Sequence, residues 1–136
     1  MKRGKPDPRC KARPSALILV VDDDVHVRQM LRQLFEREHH DVIEAEDGEK
    51  AWDTVAARRP AILVTDLAMP GLDGFSLTRR LREGGFRQLR IIVYTGQRVT
   101  ADETRAAGAD ELVLKTEPIS RLRDIVLKLE RNLPAE

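Results

Sequence analysis

The chain has a single cysteine, Cys10, and aromatic side chains make up only 4% of its 136 residues. One cysteine cannot form an internal disulfide and has no metal-ligand spacing, so a disulfide-stapled secreted domain and a cysteine-based zinc site are excluded. No apolar run approaches 18 residues and no apolar stretch follows the basic start, so neither a membrane span nor a secretory signal is predicted. These absences favour a soluble cytoplasmic protein that does not contact a membrane.

Length and composition allow one domain. Hydrophobic residues make up 41% of the chain, which is enough for a single core. Residues 1–14 carry six Lys/Arg against one acid, and the remaining residues carry 18 basic and 22 acidic side chains. Three prolines and high charge predict a disordered basic tail at 1–14, a domain over 15–133 and a short tail at 134–136. A solvated tail is favoured over a nucleic-acid-binding arm.

From Ala16 onward, short β-branched runs alternate with amphipathic segments, which is typical of βαβ units. The predicted strands are Leu17–Val21, Val42–Ala45, Ile62–Asp66, Ile91–Tyr94 and Glu111–Leu114. Helical spacing of apolar residues marks segments at 27–34, 51–56, 77–81, 101–107 and 122–133. The pattern predicts an α/β fold, a (βα)5 doubly wound parallel sheet of flavodoxin-like strand order 2-1-3-4-5.

Polar residues follow the carboxyl ends of these strands, where ligands bind in open α/β sheets. They are Asp22 and Asp23 after the first strand, Asp66 at the end of the third, Thr95 after the fourth and Lys115 after the fifth. Clustered carboxylates suit Mg²⁺. A hard cation, an ammonium and a hydroxyl together hold a phosphoryl group, and a carboxylate can be the nucleophile that accepts it. The sequence therefore predicts a phosphoryl-acceptor site.

Nearby polar residues have simpler interpretations. Asp24 is predicted to be the N-cap of the first helix. The histidines His26, His39 and His40 are expected to be exposed helix residues rather than metal ligands, with the last two at a helix end.

Five motifs carry a resemblance to a known family. They are "LILVVDDD" with an arginine four residues past the last aspartate, "EAEDGEKAW", "ILVTDLAMPGLDGF", "IIVYTG" and "GADELVLK". In this order and spacing, over about residues 16–133, they resemble the receiver domain of two-component response regulators. Pro70, Asp73 and Gly74 match the turn that follows the acceptor strand in that family.

The resemblance implies a role for each matching residue. Asp66 would accept the phosphoryl group from a phosphohistidine on a histidine kinase or a histidine phosphotransfer protein. Asp23 would bind Mg²⁺ directly, Asp22 mainly through water, and Asp66 and the backbone carbonyl of Ala68 would complete the protein ligands. Thr95 and Lys115 would each contact a phosphoryl oxygen.

Three positions depart from the family pattern. Thr116 follows Lys115 where the family usually has a proline after a cis bond. Because a cis bond without proline costs about 2.5–4 kcal/mol, we predict a trans Lys115–Thr116 bond and a reshaped loop. Leu112 replaces the usual Tyr or Phe, so any switch must rely on Thr95 displacement and loop repacking. Ala68, two residues past the acceptor, neither assists nor blocks attacking water.

Two other functions remain open at this point. The motif "ILVVDDDV" also fits a haloacid-dehalogenase-like phosphatase, with Asp22 as nucleophile and Asp24 as acid/base. A receiver fold can also act as a scaffold that is not phosphorylated, which the changes at Thr116 and Leu112 favour.

The downstream partner is not specified by the sequence. We expect no output domain on this chain, and hence signalling by protein–protein contact. The resemblance allows a homodimer through the face of the fourth helix, fifth strand and fifth helix.

Overall fold

The alternating pattern folds into five strands and five helices within residues 16–133, the part of the chain that the computed structural model describes. The elements are β1 Leu17–Val21, α1 Val25–Arg37, β2 Asp41–Ala45, α2 Gly48–Arg58, β3 Ile62–Thr65, α3 Gly74–Glu83, β4 Arg90–Thr95, α4 Ala101–Ala107, β5 Glu111–Leu114 and α5 Ile119–Arg131. The predicted tails at 1–14 and 134–136, with Cys10, lie outside the described residues. Among residues 16–133, no helix has the length and apolar character needed to cross a membrane.

The five strands form one parallel sheet in the order β2-β1-β3-β4-β5. The predicted doubly wound, flavodoxin-like topology is therefore confirmed. Strand order reverses between β1 and β3, and this reversal opens a crevice at the carboxyl edge of the sheet. The loops that follow β1, β3, β4 and β5 all meet at that edge.

Apolar side chains cover both faces of the sheet, because successive strand residues point to opposite sides. On β1, Ile18 and Val20 pack in a cluster with α1 and α5, whereas Leu19 and Val21 pack in a second cluster with α2 and α3. Both faces of β1 and β3 are buried, which explains why these strands read as continuous apolar runs. The sheet is thus a rigid platform for whatever follows its strands.

Polar side chains start four of the five helices. The N-cap residues Asp24, Asp47, Asp73 and Thr100 each accept a hydrogen bond from a backbone N–H of the first turn. At Asp24 the donor is the backbone N–H of His26, at 2.8 Å, so the predicted cap is confirmed. Such a cap contributes about 1 kcal/mol to helix stability.

The structure shifts several predicted strand ends, for example that of β4, which includes Thr95, and it corrects the sequence interpretation of His40 and Asp66. His40 is not an exposed helix residue: its side chain is only 1% exposed, and its Nδ1 accepts the Ala16 N–H at 3.3 Å. Its Nε2 lies 3.8 Å from Glu130 of α5. Helix α1 ends at Arg37, so His40 enters the core just before β2. Strand β3 ends at Thr65, which places Asp66 just beyond the sheet.

Gly74 is expected to be the most sensitive glycine near the edge. A Cβ there would clash with the Asp66 carbonyl oxygen and would lie 2.9 Å from the Leu67 Cα. We predict that Gly74→Ala forces the loop after β3 to move and lowers the free energy of unfolding by about 1–3 kcal/mol, measured by urea denaturation.

Gly96→Ala is the matched control, because a Cβ at Gly96 has no heavy atom within 4 Å. Its effect should stay within about 0.5 kcal/mol. Equal stability of the two variants would show that the close approach at Gly74 is not a constraint.

Candidate functional site

The parallel sheet brings together residues that are far apart in the sequence. Asp22 and Asp66 directly follow β1 and β3, Thr95 ends β4, and Lys115 directly follows β5. The backbone N–H of Asp66 donates to the Val21 carbonyl at 2.9 Å, and the backbone N–H of Lys115 donates to the Thr95 carbonyl at 2.8 Å. The predicted convergence of these residues at one edge is what the fold produces.

The ammonium of Lys115 links the two carboxylates. Its Nζ lies 3.0 Å from Asp22 Oδ2 and 3.2 Å from Asp66 Oδ2. The side chain of Lys115 is 26% exposed, whereas those of Asp22 and Asp66 are 3% and 11% exposed. The cation thus neutralises part of the repulsion between two carboxylates that the core shields from water.

Burial dominates the electrostatics of Asp22. It raises the pKa of the Asp22 carboxyl, and the charge of Asp66 adds to this, although the hydrogen bond from the Asp24 N–H at 2.9 Å and Lys115 act against it. Burial lowers the pKa of Lys115, but its hydrogen bonds and charge interactions with Asp22 and Asp66 outweigh that effect and raise it. Lys115 therefore remains an ammonium at neutral pH.

Asp66 is held by contacts on both carboxylate oxygens. Its Oδ1 accepts the Leu67 backbone N–H at 2.7 Å, and its Oδ2 faces Lys115. The hydroxyl of Thr65 donates to the Asp66 carbonyl at 2.9 Å, which secures the backbone at the same point. These contacts fix the orientation of the Asp66 carboxylate.

Three carboxylates fit a hard divalent cation. Oxygens of Asp22, Asp23 and Asp66 lie within 4.8 Å of one another, and Asp23 is the exposed member of the group. Carboxylate oxygens open to solvent on one side match the preference of Mg²⁺ for a few carboxylates plus water. Ala68 is exposed in the loop after Asp66, and its carbonyl as a further ligand remains a prediction.

Thr95 is buried at the end of β4. Its hydroxyl oxygen accepts the backbone N–H of Gln97 at 3.1 Å, which ties the hydroxyl to the loop after β4. A contact from this hydroxyl to a phosphoryl oxygen remains a prediction.

The loop after β5 closes without a proline next to the lysine. No cis peptide bond occurs among residues 16–133, so the predicted trans Lys115–Thr116 bond is confirmed. The carboxylate of Glu117 accepts the Leu114 N–H at 2.9 Å, and the Glu117 N–H donates to the Leu114 carbonyl at 2.9 Å. These two bonds shape the loop that carries Lys115. Leu112 is half-buried against the α2–α3 side of the core and has no aromatic ring to move.

Two residues beside the site make contacts with site residues that the sequence patterns did not predict. Arg28 belongs to the first motif of the sequence, and its Nη1 donates to the Asp22 carbonyl at 2.6 Å while its Nε pairs with Glu44 of β2 at 3.0 Å. Arg28 comes four residues after the Asp24 cap, so the two residues lie on the same side of α1. This spacing was the sequence signal for a contact of Arg28 near the end of β1. The ring of Tyr94 lies under Lys115, with 5.7 Å from the ring centroid to Nζ.

The position of Asp24 bears on the phosphatase alternative. Its carboxylate caps α1 by accepting the His26 N–H, and its backbone N–H donates to Asp22. A carboxylate engaged in this cap is poorly placed to act as an acid/base for Asp22. The geometry instead centres on the pair of Asp66 and Lys115.

Comparisons with known proteins agree with this geometry. A family model described as the response regulator receiver domain matches residues 18–127. Over 113 residues the chain is 33% identical to the transcriptional regulatory protein ResD of Bacillus subtilis, an alignment that covers 83% of this chain and 46% of ResD. Over 120 residues it is 32% identical to the response regulator GtcR of Aneurinibacillus migulanus, covering 86% of this chain and 49% of GtcR. The chain thus spans about half the length of these curated relatives.

Solved structures show the same architecture. The receiver domain of the Francisella response regulator 1452 superposes with a TM-score of 0.81 at 28% identity, covering 87% of this chain and 98% of that one. The response regulator protein TrrA of Thermotoga maritima, solved in complex with Mg²⁺ and BeF, superposes with a TM-score of 0.77 at 28% identity, covering 84% and 98%.

Proposed function

The chain belongs to the response regulator receiver domain family, and on that premise we propose that Asp66 accepts a phosphoryl group from a phosphohistidine. The donor is a histidine kinase or a histidine phosphotransfer protein. The observation that supports this most directly is the Asp66 carboxylate at 3.2 Å from the Lys115 ammonium, beside the buried Asp22. A nucleophilic carboxylate and a fixed cation lie within one hydrogen bond of each other there.

The reaction transfers the phosphoryl group from a histidine nitrogen to a carboxylate oxygen. A carboxylate oxygen of Asp66 attacks the phosphorus, the bond between phosphorus and the histidine nitrogen breaks, and its electron pair stays on the imidazole. The product is an acyl phosphate on Asp66. Lys115 and the Thr95 hydroxyl each donate a hydrogen bond to a phosphoryl oxygen, where negative charge accumulates.

A magnesium site supports this chemistry. Asp22, Asp23 and Asp66, with the carbonyl of Ala68, would hold the ion. When bound, Mg²⁺ offsets the charge of the phosphoryl oxygens next to the carboxylates. Asp22 then acts through its fixed position, because Arg28 holds its carbonyl and the Asp24 N–H holds its carboxylate.

Phosphorylation shifts the domain between two conformational states. Thr95 moves toward the phosphoryl group and releases the loop after β4, while Leu112 contributes packing only. A protein partner that contacts this domain, or a second copy through α4, β5 and α5, reads the change.

A scaffold that is not phosphorylated is the second candidate. The observation that favours it is the combination of Thr116 and Leu112, which removes two elements of the usual switch. Such a scaffold would keep the fold but not respond at Asp66.

Beryllofluoride binding distinguishes the two functions. We expect the backbone amide signals of Leu67, Thr95 and Lys115 to shift in NMR spectra when beryllofluoride and Mg²⁺ are added together, and to return when the metal is chelated. Phosphotransfer profiling against the histidine kinases of the source organism then identifies the donor. Absence of any response to beryllofluoride with saturating Mg²⁺ would favour the scaffold.

A further inference from the structure

A row of side chains crosses the sheet at its carboxyl edge. In the strand register Val21 lies opposite Thr65, and Thr65 lies opposite Val93. The residues that follow these three, namely Asp22, Asp66 and Tyr94, therefore lie side by side in the same order and form the row. The row begins with two carboxylates and ends with an aromatic ring.

Lys115 approaches this row from the outer strand. Tyr94 lies opposite Val113 of β5, and Lys115 comes two residues later, on the same face as Val113. Neighbouring strands are about 4.8 Å apart, so an ammonium that reaches Asp66 from β5 must pass across β4. Tyr94 is the β4 side chain on that face at the level of the carboxylates.

The contacts of Lys115 agree with this path. Its Nζ lies 5.7 Å from the centroid of the Tyr94 ring while it contacts Asp22 and Asp66. Tyr94 is 5% exposed and packs in the core cluster of α1 and α5, so the ring is fixed. A cation within about 6 Å of a ring centroid is attracted to the ring, more strongly where water is excluded.

We propose that Tyr94 is a positioning residue, whose ring holds the Lys115 ammonium at the level of the Asp22 and Asp66 carboxylates. The loop that carries Lys115 continues into Thr116 and is closed by the hydrogen bonds of Glu117 at its base. Those bonds restrain the backbone, whereas the ring restrains the end of the side chain. The effect on phosphoryl transfer rests on the proposed function of Asp66; the placement of Lys115 does not.

The competing explanation is that Tyr94 only fills the core. Leucine and phenylalanine both fill an apolar site, but only phenylalanine keeps the ring face. Tyr94→Phe and Tyr94→Leu therefore separate positioning from packing. Phe35→Leu is the matched control, because Phe35 is fully buried in the same cluster and belongs to α1.

The first measurement is the NMR signal of the Lys115 ε-methylene protons, which needs no phosphoryl donor. A ring beneath them shifts this signal upfield. We expect the upfield shift in the wild-type protein and in Tyr94→Phe and Phe35→Leu, and its loss in Tyr94→Leu. Presence of the same shift in Tyr94→Leu, or its absence from the wild type, overturns the proposal.

The second measurement is beryllofluoride affinity in saturating Mg²⁺. Tyr94→Leu should weaken it roughly three- to tenfold, the range expected for a half-buried cation on a ring, while Tyr94→Phe should stay within about twofold of wild type, since the ring is kept. Equal losses in the two variants overturn the positioning role. If the wild-type protein itself does not bind beryllofluoride, the proposed function fails, and the methylene signal still decides where Tyr94 holds Lys115.

Discussion

Asp66→Asn is expected to reduce phosphoryl incorporation from acetyl phosphate to background, because the amide cannot act as the nucleophile that forms an acyl phosphate. The measurement is the mass of the intact protein after incubation with the donor and Mg²⁺. Asparagine has nearly the shape of aspartate and keeps the side-chain oxygen that accepts the Leu67 N–H. The fold should therefore be retained, which circular dichroism checks.

Asp22→Asn and Asp53→Asn complete this experiment. Asp22→Asn removes a predicted metal ligand but keeps the nucleophile, so incorporation should be slower and need more Mg²⁺. Asp53 is exposed on α2, away from the edge, and its variant should match the wild type. A phosphoryl group that persists in Asp66→Asn and disappears in Asp22→Asn would instead identify Asp22 as the nucleophile, as in the phosphatase alternative.

Lys115→Met should have the second-largest effect: it should slow phosphorylation and raise the affinity for Mg²⁺. Phosphorylation should slow by about 10²–10³-fold, the usual consequence of removing a group that stabilises developing charge. Mg²⁺ affinity should rise, because the ammonium lies 3.0 and 3.2 Å from the carboxylate oxygens of Asp22 and Asp66 that the ion would also use. Titration with Mg²⁺ and a time course with acetyl phosphate measure the two effects separately.

The same substitution has a consequence for stability. Without the cation, the carboxylates of Asp22 and Asp66 lie close together with less charge compensation. The pKa of Asp22 should rise further, because in the wild-type protein Lys115 lowers it. Without Mg²⁺, we expect the free energy of unfolding to fall by about 1–3 kcal/mol. This is less than the loss on breaking a fully buried ion pair, because the Lys115 side chain is 26% exposed to water. This loss should shrink when Mg²⁺ is added.

Lys128→Met provides the control for Lys115. Lys128 pairs with Glu111 at 2.6 Å on the exposed side of α5, so its loss removes one cation of the same type away from the edge. Its phosphorylation rate and Mg²⁺ affinity should match the wild type. A fall in Mg²⁺ affinity in Lys115→Met would contradict the competition between ammonium and metal.

The fold was predictable because local patterns and general topology rules agree. Short apolar runs alternate with segments of helical periodicity, and right-handed parallel connections leave few arrangements of five βα units. The cap at Asp24 was predictable for the same reason, since it depends on the next two residues alone. The positions of Asp22, Asp66, Thr95 and Lys115 at one edge followed from the strand order.

His40 shows where local patterns fail. Its neighbours in the sequence are polar, and the end of α1 is a common place for an exposed histidine. Its burial depends on Ala16, just before β1, and on Glu130 of α5, which lies 90 residues further along the chain. Packing of distant segments decided its environment.

The strand order, the family and the set of polar residues at the carboxyl edge could be predicted from the sequence, because they depend on periodicity and motif spacing. Three contacts depend on how the chain packs in three dimensions: Lys115 bridges Asp22 and Asp66, Arg28 links the Asp22 carbonyl to Glu44, and the Tyr94 ring lies beneath the ammonium. The contacts of Lys115 join segments that are 93 and 49 residues apart in the chain, whereas Arg28 and Asp22 are six residues apart. Their geometry depends on strand register and side-chain packing, which no local pattern encodes.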